Sequence, residues 1–188
     1  MKHCLAILLL LSALTSVAQN ADGTDPVKDR LYNEITSYHQ VEFRNIGCWG
    51  ALSKFYPKVD SFFSLSSPTA CIGHFNDASY VLKYYSYLKI LFVVHEDSIA
   101  LDKLKSAITD STQLDFGSWG DYAKFNEALI HDYWAYLHYK YKWIGGTYHG
   151  LSFRFGTPNK RMFKRKKKEL FALLAANGMD GDKVLRYF

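Results

Sequence analysis

Residues 121–143 read DYAKFNEALIHDYWAYLHYKYKW and run into Ile144, Gly145 and Gly146. At about 100° per residue, Phe125, Leu129, Tyr133 and Tyr136 fall around one direction, the face that seeks a core. The paired glycines close the pattern, so the spacing predicts a helix over 121–143. Upstream, Val81, Leu82, Tyr84, Tyr85, Leu88, Leu91 and Phe92 make the segment 76–95 apolar nearly all round, as in a central buried helix. Asp97-Ser98 opens another helix, with Leu101, Leu104 and Ile108 on one face. Asp25-Pro26 reads as N-cap and first residue of a helix reaching about Arg44. A shorter helix is expected over 51–63, kinked at Pro57, and 64–75 and 110–120 read as loops. Downstream, 147–155 alternates weakly, as a small hairpin would. Thr157-Pro158 then opens a helix to about Ala176, stopped by Asn177-Gly178, and a short turn over 182–187 ends the chain. The sum is an all-α, single-domain bundle of five or six helices over 19–188.

Ahead of that domain, Met1-Lys2-His3-Cys4 leads into a largely apolar ten-residue run, Leu5 to Leu14, and then Thr15-Ser16-Val17-Ala18. Small side chains three places and one place before Gln19 suit signal peptidase, so residues 1–18 read as a cleavable secretory signal. The run is about half of what a bilayer span needs. No later apolar run reaches that length, so no transmembrane segment is expected after cleavage, and the mature chain is expected to be secreted or periplasmic. The leader resembles those of secreted Gram-negative proteins. In an oxidising compartment the two remaining cysteines, Cys48 and Cys71, are expected to form a disulfide, worth about 3 kcal/mol. Their spacing suits neither a CxxC redox pair nor a zinc knuckle.

The net charge of +5 hides an asymmetry. Residues 20–139 hold ten Lys/Arg against fifteen Asp/Glu, whereas 140–188 hold twelve against three. A basic tail on an acidic body either docks internally or meets an anionic partner. The densest stretch is Lys160, Arg161, Lys164, Arg165, Lys166, Lys167 and Lys168. Met162, Phe163, Leu170, Leu173 and Leu174 form the other side of that helix, so much of the charge faces water.

Within 121–143, Glu127, His131 and His138 fall opposite the core face, with Trp134 beside them. An exposed tryptophan flanked by two histidines is a candidate interaction hot spot. Glu127 and His131, at i and i+4, supply at most two metal ligands, and His138 lies about 10 Å further along the axis; no metal or other cofactor is implied. His131-Asp132-Tyr133 resembles a fragment of the helix of secreted phospholipase A2 enzymes, in which a histidine acts as base and the adjacent aspartate helps hold calcium. The glycine-rich calcium loop and flanking cysteines of that family are absent. Neither a GxSxG elbow nor a phosphate loop is present.

This reading favours a secreted binding protein, of the inhibitor or immunity type, over an enzyme. Its candidate contacts are Trp134, His131 and His138, and the patch Lys160, Arg161, Lys164, Arg165, Lys167 and Lys168. The partner is an unknown protein or an anionic surface, with nucleic acid not expected. The alternative is an extracytoplasmic hydrolase with His131 as general base, assisted by Glu127 or Asp132.

Overall fold

The computed structural model describes residues 25–46, 51–117 and 122–186. The leader, Cys48 and the segment 118–121 therefore lie outside the described residues. In chain order the elements are α1 (Pro26–Thr36), β1 (Asn45–Ile46), β2 (Ala51–Leu52), α2 (Tyr56–Ser64), α3 (Pro68–Gly73) and α4 (Tyr80–Lys89), the last two joined by a 3-10 turn, His74–Asn76. A π turn, Ile90–Val94, extends α4 before α5 (Asp97–Ala107), β3 (Gln113–Asp115), β4 (Tyr122–Lys124) and α6 (Phe125–His138). A second π turn, Tyr139–Trp143, extends α6, and β5 (Gly145–Tyr148), β6 (Leu151–Arg154), α7 (Lys160–Ala176) and α8 (Gly181–Val184) complete the chain.

The all-α bundle of five or six helices is thus corrected. The described residues form eight helices and three two-stranded antiparallel sheets, β1–β2, β3–β4 and β5–β6. Much of the difference lies in pieces too short for periodicity to register. Pro57 does not kink a helix over 51–63; it stands in the first turn of α2, and Pro68 likewise opens α3 inside the expected 64–75 loop. Ser53 substitutes for the missing N-cap of α2. Its Oγ accepts from the backbone N–H of Phe55 (3.0 Å) and Tyr56 (2.8 Å), and its hydroxyl donates to Glu42 Oε2 (2.6 Å).

The core is built on α4 and α6. Leu82, Tyr84, Tyr85, Tyr87, Leu88 and Leu91 from one side meet Phe125, Leu129, Tyr133 and Tyr136 from the other, all buried. Both helices end alike, in a π turn closed by a left-handed residue: His95 at φ 64° and Ile144 at φ 60°. A side chain at positive φ is uncommon and, for β-branched isoleucine, an outlier; packing around the turn holds it there.

Lys140, in the second π turn, joins these two ends. Its ammonium donates to the His95 carbonyl (3.0 Å), to Asp97 Oδ1 (2.5 Å) and to the Tyr136 hydroxyl (2.7 Å). Asp97 also accepts from Tyr136 (2.5 Å) and from the Tyr141 hydroxyl. Burial pushes the Asp97 carboxyl up, but the hydrogen bonds from Lys140, Tyr136 and Tyr141 outweigh it and hold the group below its ordinary value.

Candidate functional site

Among the described residues no disulfide is found. Cys71 is a free thiol buried on α3, and its intended partner, Cys48, lies outside the described residues.

The expected exposed stripe on α6 is also corrected. Trp134 is only 7 % exposed. It is covered by α7, whose Phe163 and Phe171 rings lie 5.9 and 6.1 Å from the indole. His138 is half-buried in the same seam. It donates Nδ1–H to the Trp134 carbonyl (3.0 Å), and its ring meets Phe163 at 4.9 Å. Burial depresses the basicity of both His131 and His138, and for His138 the nearby Lys142 and Lys167 act in the same direction. Glu127, further along, pairs with Lys124 (3.2 Å). The face opposite the core of α6 is therefore a second packing seam, with a buried indole where a hot spot was expected.

Helix α7 makes that seam with its apolar side. Phe163, Leu170 and Leu174, all buried, fall within about 40° of arc, and Lys160, Arg161, Lys164, Arg165 and Lys168 occupy about 140° on the other side. Those five are exposed. Lys167 is not one of them, because its ammonium lies over the Trp134 and Phe171 rings at 5.5 and 4.8 Å. Lys166 pairs with Glu169 at 2.8 Å, and Arg165 approaches the same carboxylate at 3.7 Å. Both ion pairs are internal to α7. Among the described residues, no carboxylate of the acidic body lies within ion-pair distance of any α7 cation. The helix docks through apolar contacts and leaves its charge outward.

At its start, Asn159 caps α7 by accepting from the Met162 N–H (2.9 Å), and a cavity of about 290 Å³ is lined by Asn159, Arg161, Met162 and Arg165. Beside this end lies Trp143, 58 % exposed, its ring 5.4 Å from His138. Lys142 stands over Phe163 at 4.5 Å. No acid occupies the first turn of α7.

Of the groups named in the hydrolase alternative, His131 is half-buried on α6, where Asp132 and Glu127 both act electrostatically on its ring. Asp132, next to it in sequence, is buried, and its Oδ1 accepts from the Tyr148 hydroxyl (2.9 Å) and lies 3.5 Å from His149 Nε2. Sequence reasoning missed this pairing because His149 comes 17 positions later, across a hairpin. Among the described residues, no three His, Cys, Asp or Glu side chains gather as a metal site, and no helix is long and apolar enough to cross a membrane. Comparison of the chain with known proteins finds no matching family, no matching curated protein and no matching solved structure.

Proposed function

We propose that this protein binds an anionic lipid surface through the outer face of α7. The observation that supports the reading is how little of that charge is used internally, Arg165 alone of the five approaching a carboxylate, Glu169 of the same helix. Five exposed cations share one face, and among the described residues no acid of the body lies within ion-pair distance of them. Their placement also works against the helix. Lys160/Lys164, Lys164/Lys168 and Arg161/Arg165 are like-charge pairs at i,i+4, each costing a few tenths of a kcal/mol. Lys160 and Arg161 stand at the positive end of the helix dipole. A sequence that keeps such local conflicts is read as serving something outside the fold.

Lipid is favoured over an acidic protein by what flanks the charge. Trp143 offers an amphipathic ring at the same end of the helix pair, and tryptophan beside lysine and arginine suits a headgroup layer. Each cation near an anionic membrane contributes about 1 kcal/mol, so five suffice for peripheral attachment without a spanning helix. Export by the leader at 1–18 belongs to the same reading and would bring α7 to an envelope membrane from outside the cytoplasm.

The test is co-sedimentation of the mature chain with vesicles of phosphatidylglycerol and phosphatidylcholine. Binding is expected to the first and not the second, and to weaken as salt rises. Equal binding to both, or to neither, refutes the lipid reading. Retention on heparin without binding to vesicles would move the partner to a soluble polyanion or an acidic protein.

A further inference from the structure

A cavity of about 490 Å³ lies between the end of α1, the start of α4 and β3, and Tyr32, Tyr38 and Tyr80 form part of its wall. Each of these phenols donates to a carboxylate. Tyr32 reaches Asp77 Oδ2 (2.8 Å), Tyr38 reaches Glu42 Oε1 (2.7 Å) and Tyr80 reaches Asp110 Oδ2 (2.9 Å). The first of these bonds ties α1 to the start of α4, and the last ties α4 to the segment before β3. The rings are therefore fixed in place around the space they line.

The second oxygen of each acid is met by another neutral group. Asp77 Oδ1 accepts from the Ser79 N–H (3.0 Å), Glu42 Oε2 from the Ser53 hydroxyl (2.6 Å) and Asp110 Oδ1 from the Thr112 N–H (3.1 Å). Among the described residues, no lysine or arginine lies within ion-pair distance of any of the three carboxylates. The bond to Asp77 first, and then burial, hold the Tyr32 phenol above its ordinary value, and the bond to Glu42 and burial do the same for Tyr38. Burial pushes the Asp110 carboxyl up, but the hydrogen bonds from Thr112 and Tyr80 outweigh it and hold the group below its ordinary value. Three rings are thus backed by three acids without a cationic partner.

A phenol that donates to an anion is polarised toward its ring, and the ring face is the side that attracts cations. Lys83 displays the attraction at Tyr80, where its ammonium stands 4.4 Å from the ring centroid; Lys83 itself does not line the cavity. The lining holds Asp77 and neither lysine nor arginine, and His39 is its one basic side chain. A primary ammonium or a guanidinium needs acceptors for its N–H groups, and all six oxygens of the three carboxylates already accept a hydrogen bond. A quaternary ammonium has no N–H. Ring faces and opposite charge are what it needs, and they are what this wall supplies.

We infer that this cavity binds a small solute bearing a quaternary ammonium group. Its volume lies in the range of small-molecule sites, and it belongs to the acidic part of the chain, where fifteen Asp/Glu outnumber ten Lys/Arg over 20–139. A phosphate or carboxylate on the same solute would face Asp77 and meet neither lysine nor arginine in the lining. The ligand class is therefore a choline-type cation without an attached anion, as distinct from phosphocholine or a phospholipid headgroup. The cavity shares no lining residue with α7 and stands independently of lipid binding.

The test is calorimetric titration of the mature chain with three probes: choline, its uncharged isostere 3,3-dimethyl-1-butanol, and phosphocholine. Choline is expected to bind with a Kd of about 1 mM or lower, and each of the other two at least about 10-fold more weakly. Asp77→Asn removes a charge at constant shape and should raise the Kd for choline about 3-fold or more. Tyr80→Leu removes a ring and should raise it about 5-fold or more, both with an unchanged circular dichroism spectrum. Choline that fails to bind at about 10 mM, or binds no more tightly than its isostere or phosphocholine, overturns the inference. So does an Asp77→Asn variant that keeps the wild-type affinity.

Discussion

Lys140 and Lys164 both belong to the basic last quarter of the chain, yet the fold treats them in opposite ways. All three ammonium donors of Lys140 are occupied, by a carboxylate, a phenol and a backbone carbonyl. Lys164 stands exposed on α7 among four more cations. The first charge holds the ends of α4, α5 and α6 together; the second is left for something outside. Net charge cannot distinguish the two, and the difference appears only when each cation is traced to its acid. The acids divide similarly. Asp97 is met by a lysine and two tyrosines, whereas Asp132 keeps one oxygen without a partner.

The comparison breaks first at Lys140. Both members of its pair are mostly buried, so Lys140→Met should leave Asp97 uncompensated and cost about 3 kcal/mol or more, read by urea denaturation. A loss of a few tenths would put Lys140 with the surface cations. Next, Asp132→Asn should change stability by less than about 1 kcal/mol, because the amide still accepts from Tyr148 and no partnered charge is lost. Asp97→Asn should cost more in the same assay. Equal costs would make Asp132 a structural group like Asp97 and remove the contrast.

A smaller effect is expected at the start of α7. Lys160→Glu replaces a cation at the positive end of the helix dipole with an anion, and should stabilise by about 0.5 kcal/mol or more, raising Tm by a degree or two. A fall in Tm would mean that the outward charge supports the fold after all.

Acid sharpens the same division. His131, half-buried on α6, and His138, half-buried in the α6–α7 seam, have folded basicity depressed by burial. A histidine depressed in this way contributes its full stability above its unfolded value, near pH 6.5, and loses it as pH falls below that. Tm should therefore decline between pH 7 and pH 5. His131→Gln with His138→Gln should flatten the decline but leave part of it, since burial depresses His74 as well. The contribution of Asp97, whose folded value is lowered, should disappear only below about pH 4.

Several elements were legible because their signals are local and long enough to read. Asp25 does cap α1 through Val27 and Lys28, Asp97 begins α5, and the core face of α6 is the one that phase assigns. Strands of two to four residues carry too little alternation to register, and helices as short as α3 are set by a proline and a cap instead of a repeat. Helical phase also identifies the direction opposite one core without revealing a second neighbour there, which is why Trp134 was expected in solvent and lies under α7. The outward charge of α7 was visible as composition, but not that Lys167 folds back over Trp134. His149 left no signal at all. Its approach to Asp132 is made by the turn of the β5–β6 hairpin, 17 positions further along the chain.

The most direct test of surface binding is to measure one variant twice. Lys164→Glu combined with Lys168→Glu should weaken binding to phosphatidylglycerol vesicles by at least about 30-fold, with Tm unchanged or slightly raised. Undiminished vesicle binding, or a Tm lowered by several degrees, would contradict the claim that these cations serve a partner and not the fold.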